Sequence, residues 1–284
     1  MRARLELPAD LEPLRASIEG AIAPSIVLSP ADRDESARTR FGGAPLLAPG
    51  VEWPRSDRGP LSFLGQLDFR ELRGFGGDGL VLPSDGVLTF FYDVEEQPWG
   101  YEPSHASGWA LRYAPDSASA IDVENPGGAI PFDEEPLVPS AAPSLPWPGD
   151  LALRSFGGGE HPEQASWARA YRELVETFAA ANAPPLAIGP SRQQVCGHAQ
   201  WLDGDGRLTA ELASSGVSAD RGRYRPSDLR RAENGASEWQ LLWQLEPHDD
   251  RFTWVDLGTL YVLIRRADLA ARRFDRAWVV FQAG

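Results

Sequence analysis

One strand-like phrase occurs twice in this chain, and its neighbours recur in the same order. LSFLGQLD at residues 61–68 is answered by WQLLWQLE at 239–246, each placing a glutamine two residues before a carboxylate. Side chains alternate between the two faces of a strand. Leu61, Phe63, Leu67 and Phe69 are therefore expected on one face, with Ser62, Leu64, Gln66 and Asp68 on the other. In the second copy Trp239, Leu241, Trp243 and Leu245 oppose Gln240, Leu242, Gln244 and Glu246. GVLTFFYD (86–93) is apolar on both faces, which reads as a strand covered on both sides, and DLGTLYVLI (256–264) answers it. WALRYAP (109–115) and WVVFQ (278–282) supply a third strand to each set. Three strand phrases in matching order point to an internal duplication. The expected class is α+β, mainly antiparallel sheet, with two related halves and a few peripheral helices.

Between and around these phrases, Leu11, Leu14 and Ile18 fall at helical spacing after Asp10, and Trp167, Tyr171, Leu174, Val175 and Phe178 form one stripe that predicts a helix over 163–182. Pro184 and Pro185 end that helix, and a short helix is expected near Arg266 to Phe274. RFGGAPLLAPGVEWP (40–54) reads as an ordered loop bending at Gly42 and Gly43. The prolines of 114–160 favour extended chain outside any packed element, and 207–236 has too little apolar periodicity for more than a loop. The resulting division is a helix and lead-in (1–39), a first β-rich half (40–113), a Pro- and acid-rich excursion (114–160), and a helix plus second β-rich half (161–284), together one compact unit.

Charge narrows the chemistry. The 284 residues hold 41 acidic against 27 basic side chains, a net charge of −14 that repels phosphate backbones, so no nucleic-acid partner is expected. All the basic residues are arginine, which removes Schiff-base and P-loop lysine chemistry. A single cysteine, Cys196, makes no internal disulfide. No apolar run is long enough for a bilayer and the N-terminus has no signal-peptide core, so a cytoplasmic protein without a membrane partner is expected.

The phrases FGGAP, VEWP, LSFLGQLDF, LPSDGVLTFFYD, CGHAQ, WQLLWQLE, DLGTLYVLI and WVVFQ, in that order from Arg40 to Gln282, resemble the YwqG-like proteins, a bacterial family of unknown function. The resemblance implies an α+β protein with two related halves and no established reaction. Some members lie near toxin and immunity genes, which implies an immunity or protein-binding role. Where relatives tend to carry a glycine-aromatic phrase, this chain has Gly197-His198-Ala199-Gln200.

Candidate site residues follow from chemistry. A buried amide needs partners, so Gln66 and Gln244 are expected either to pin loops such as FGGAP and CGHAQ to the sheet or to wall a ligand cleft with Arg40, His198 and Gln200. His198 stands two residues from Cys196, too close in sequence for a catalytic pair to face one another. Trp53 offers a flat anchor beside Glu52. DGDG (203–206) lacks the ligands of a calcium loop, and His105, His161 and His248 show no paired spacing, so no metal and no cofactor is expected. Asp68 with Glu246, or Asp93 with Asp256, would be acid pairs if the halves brought them together. The leading expectation is a non-catalytic binding protein, immunity-type, whose acidic surface meets a basic protein; the alternative is an enzyme or small-ligand binder with a cleft between the halves.

Overall fold

The computed structural model describes residues 3–31, 37–76, 81–156, 165–183, 193–220, 223–247 and 258–283. Its strands in chain order are β1 (Ala23–Pro30), β2 (Arg40–Phe41), β3 (Leu46–Leu47), β4 (Arg55–Ser56), β5 (Gly59–Pro60), β6 (Ser62–Asp68), β7 (Val87–Tyr92), β8 (Trp109–Ala114), β9 (Ile121–Asp122), β10 (Glu135–Ser144), β11 (Gln194–Val195), β12 (Trp239–Leu245), β13 (Gly258–Arg265) and β14 (Trp278–Ala283). The α-helices are α1 (Arg15–Gly20), α2 (Phe69–Leu72), α3 (Ala168–Ala181), α4 (Gly206–Ser214), α5 (Pro226–Ala236) and α6 (Arg266–Ala270).

Ten strands form one antiparallel sheet in the order β14-β13-β12-β11-β1-β10-β2-β6-β7-β8. Read from either end, this order gives three long strands, a two-residue strand and a middle strand. The expected strand phrases are β6, β7 and β8 in one half and β12, β13 and β14 in the other, with residues 256 and 257 outside the described residues. The middle strands are exchanged. β1, from the N-terminus, lies beside β11, while β10 lies beside β2.

β10 corrects the reading of 114–160 as chain kept outside packed elements. Ladder directions explain how its prolines are accommodated. Leu137 donates its N–H to Thr39 O at 2.9 Å, so alternate residues point toward β2. Pro139 and Pro143 share that direction, but β2 reaches only Glu135 and Pro136, and their missing donors fall where no strand needs them. In β1, Leu28 donates toward β11, and Pro24 and Pro30 share its direction beyond the ends of that two-residue strand.

A second correction concerns strand faces. The ladder shifts register between Phe63 and Gly65 in β6, and between Leu241 and Trp243 in β12. Each is a bulge, which reverses the alternation. Leu61 and Phe63 consequently join a small cluster with Leu47 and Phe91, whereas Leu67 and Phe69 enter the main core. Trp239 donates to Glu211 of α4 at 2.7 Å, while Trp243 stacks on Phe41 of the other half, with centroids 6.0 Å apart and planes 3° from parallel. Gly65 makes the room, because a Cβ there would lie 3.0 Å from Trp243 and 2.8 Å from Arg40 O.

The sheet curls until its ends face one another, nearly closing a barrel. Trp109 of β8 meets Trp278 of β14 edge-on at 5.1 Å, Phe281 N–H donates to Trp99 O at 3.1 Å, and Trp278 Nε1 donates to Gly100 O at 2.9 Å. α3 buries Tyr171, Leu174, Val175 and Phe178 in a separate apolar cluster with Leu11, Leu14 and Ile18, as the spacing predicts. The first of these turns is a 3-10 helix over Ala9–Leu14, with Pro8 rather than Asp10 at its cap. Residues 207–236, expected as a loop, are mostly α4 and α5. Their packed faces include Ala210, Ala213, Ala232 and Ala236, small side chains that a search for large apolar residues at helical spacing passes over. Among the described residues no helix is long and apolar enough to cross a membrane.

Candidate functional site

Each half carries a loop fastened by its glutamine. Gln66 is fully buried; its Oε1 accepts from Leu46 N–H at 2.9 Å and its Nε2 donates to Arg38 O at 2.7 Å. Gln244, equally buried, accepts from Gln200 N–H at 2.9 Å, and its Nε2 has no partner among the described residues. Both loops leave a two-residue strand through consecutive left-handed residues: Gly42 (φ 55°) and Gly43 (φ 74°), Cys196 (φ 59°) and Gly197 (φ 70°). The strand residue facing each glutamine also secures the loop. Arg40 donates to Ala44 O, and Gln194 Nε2 donates to His198 O at 2.9 Å. His198 thus occupies the position of Ala44.

The sequence-predicted residues do not line one cleft. Trp243, packed on Phe41 and Phe90, fills the space between the halves, and each glutamine faces its own loop. Arg40, largely buried, sits 3.3 Å from Asp122 and 3.5 Å from Glu134, tying the first loop to the acidic segment that crosses it. Trp53 is half-buried; its indole donates to Leu61 O at 2.8 Å and meets Phe91 edge-on, so it plugs the small cluster. Gln200 offers its backbone on both sides, its N–H to Gln244 and its C=O to the Tyr261 hydroxyl at 2.6 Å.

His198 lies on the rim of a depression of about 170 Å³ whose walls include Cys196, Trp201, Gln240 and Arg266. Its Nε2 is 2.8 Å from Ala21 O and must carry the proton there, since a carbonyl only accepts. Its Nδ1 is 3.8 Å from Asp150 Oδ2. Asp150 also accepts from Arg207 Nη2 at 2.5 Å and from Ala152 N–H at 2.8 Å. Asp205 caps α4 through Arg207 N–H at 2.9 Å and accepts from Leu151 N–H at 2.8 Å. Burial works against an ionised Asp150, but His198 and the Arg207 charge outweigh it and hold the carboxyl at about 2. Burial pushes the Cys196 thiol up to about 12, so it stays protonated at neutral pH. An ion-paired carboxylate and a protonated thiol make this cluster a fastening, joining the end of α1, the chain around Asp150, α4 and the β11 loop.

Asp150, Asp205 and Arg207 were not singled out from sequence. The local signal for Asp205 is an acidic residue just before a helix start, within a DGDG phrase read only as a turn. Gln282 completes that turn, its amide bonding Leu202, Asp203 and Gly204. Asp68 is occupied by Arg38 Nε (2.8 Å), Ser117 Oγ (2.9 Å) and Arg70 N–H (3.0 Å). Asp256, His161 and His248 lie outside the described residues, and His105 accepts from Gly100 N–H at 3.0 Å. Among the described residues no three potential ligands gather for a metal ion.

The outer surface of the acidic segment has a different character. Asp122, Glu124, Asp133 and Glu134 are exposed, as are Ile121 (50%) and Ile130 (41%). Backbone contacts hold the segment down: Gly43 N–H to Phe132 O at 2.9 Å, Asn125 Nδ2 to Gly43 O at 3.0 Å and Ile130 N–H to Ser62 Oγ at 3.1 Å.

Compared with known proteins, residues 39–283 match the model of a protein family described as a domain of unknown function, DUF1963. No curated protein matches the chain.

Proposed function

The chain belongs to the DUF1963 family, a domain of unknown function, and from that premise we propose a non-catalytic binding module of the bacterial cytosol that meets a basic protein through its acidic segment. We place it with the YwqG-like proteins on the ordered phrases from FGGAP to WVVFQ, and we infer a duplicated origin from the matched bulges, glutamines and left-handed loop residues. An immunity-type neutraliser is the form of this role that the resemblance favours. What supports the reading is the exposed acidic segment, in which Asp122, Glu124, Asp133 and Glu134 reach solvent together with Ile121 and Ile130. Exposed apolar side chains on an acidic segment suit a docking surface, and charge of one sign steers an oppositely charged partner.

The test is a pull-down from source-cell lysate at low and high salt, comparing the wild type with a Glu124→Gln/Asp133→Asn variant, with retained proteins identified by mass spectrometry. These two carboxylates leave the Arg40 contacts intact. A basic protein retained by the wild type at low salt, and lost both at high salt and in the variant, is expected. Retention of the same proteins by both forms, or of no basic protein, overturns the proposal.

A further inference from the structure

The acidic balance of the whole chain conceals a cationic site at the seam where the curled sheet nearly closes. Between β8 and the turn that leads into β14 lies a groove of about 390 Å³, within the size range of small-molecule sites. Arg55, Arg112 and Arg276 all line it, over walls that include Trp109, Phe274 and Trp278. Elsewhere, arginines such as Arg38, Arg70, Arg154 and Arg207 lie close to carboxylates. These three are placed differently. Among the described residues Arg55 and Arg112 form no ion pair, Arg112 Nη1 reaching only Leu111 O at 3.3 Å. The carboxylate paired with Arg276 is Asp275, 3.8 Å away, which also lines the groove.

The surrounding sequence reinforces this local field. RRADLAARRFDR (265–276) holds Arg265, Arg266, Arg272, Arg273 and Arg276 against Asp268 and Asp275. Two of these are committed: Arg265 to Glu211 at 2.7 Å and Arg273 to Asp268 at 2.6 Å. Planar guanidinium groups recognise phosphate through paired N–H donors, and aromatic walls favour a flat apolar body. We propose that this groove binds a small organic phosphate, its phosphoryl group held by Arg55, Arg112 and Arg276 and its ring set over the exposed edges of Trp109 and Trp278.

The test is calorimetric titration of the full chain at pH 7.5 with phenyl phosphate, inorganic phosphate and benzyl alcohol as probes. Phenyl phosphate is expected to bind with a dissociation constant of about 1 mM or tighter, a scale set by its few heavy atoms, and about tenfold more tightly than either other probe. Arg112→Gln and, separately, the exposed Arg55→Gln are expected to weaken it about tenfold, with unchanged thermal melting showing that each variant is folded. Arg169→Gln, on the exposed face of α3 and outside the groove, is expected to leave binding unchanged. Absent binding, equal affinity for inorganic phosphate, or undiminished affinity in both groove variants overturns the proposal. None of the substituted residues belongs to the acidic segment, so this test and the pull-down fail independently.

Discussion

Gln66 and Gln244 occupy matching positions in β6 and β12, yet they do unequal amounts of bonding. Gln66 satisfies two backbone groups, Leu46 N–H and Arg38 O, whereas Gln244 satisfies one. Replacing either with leucine keeps strand shape but leaves its backbone partners unsatisfied, at about 1–3 kcal/mol for each buried group. Urea denaturation is expected to show Gln66→Leu as the more destabilised variant, by roughly 1 kcal/mol or more beyond Gln244→Leu. Asp150 contributes to the acid dependence of stability. Its folded value of about 2 lies below the ordinary 3.8, so its contribution is present above pH 4 and is lost as pH falls from about 4 toward 2. The gap amounts to about 2 kcal/mol. Asp150→Asn is expected to be less stable at pH 6 and to lose part of the acid limb, read as midpoint against pH in urea titrations. That glutamine fastens a loop was readable from its place in an otherwise apolar strand. Asp150 was not, because its partners Arg207, His198 and Trp201 come from distant stretches that only the fold gathers.

At the scale of elements, the sequence was most legible where periodicity was strong. β6, β7, β8, β12 and β14 fall on their phrases, β13 spans the described part of its own, and α3 buries its predicted stripe. Composition misled where it stood in for position. β10 reads as extended, proline-rich chain, yet its prolines are compatible with the middle of the sheet because the neighbouring strand covers only two residues. This gives a directional prediction. Pro139→Ala adds a donor on the uncovered side and is expected to change stability by no more than about 1 kcal/mol. Leu137→Pro deletes the N–H that reaches Thr39 O and is expected to lower stability by about 3 kcal/mol or more, checked by thermal and urea unfolding. α4 and α5 were missed for the opposite reason, since their buried faces carry alanine where a reading keyed to large apolar side chains looks for leucine or aromatics. The bulges were missed because an added residue preserves the letters of an alternation while reversing its faces.

For the whole molecule, net charge described a sum and concealed a distribution. Four carboxylates and two isoleucines of the acidic segment reach solvent, while Arg55, Arg112 and Arg276 line the groove at the seam between the sheet edges. A chain with a net charge of −14 can therefore offer a cationic groove and an acidic patch at once. The exchanged middle strands carry a further consequence, for the order in which the protein can assemble. During synthesis β1 emerges early, but its neighbours β10 and β11 emerge only after β2 through β8. The early half, in turn, lacks its inner neighbour until residues 135–144 have been made. The six adjacent strands β1-β10-β2-β6-β7-β8 are all made by residue 144, whereas the second set, β11 to β14, joins the sheet only through β1, the first strand made. Closure of the sheet belongs to the late stages of synthesis, and the edge of β1 that receives β11 must stay open until residues 194–195 have been made.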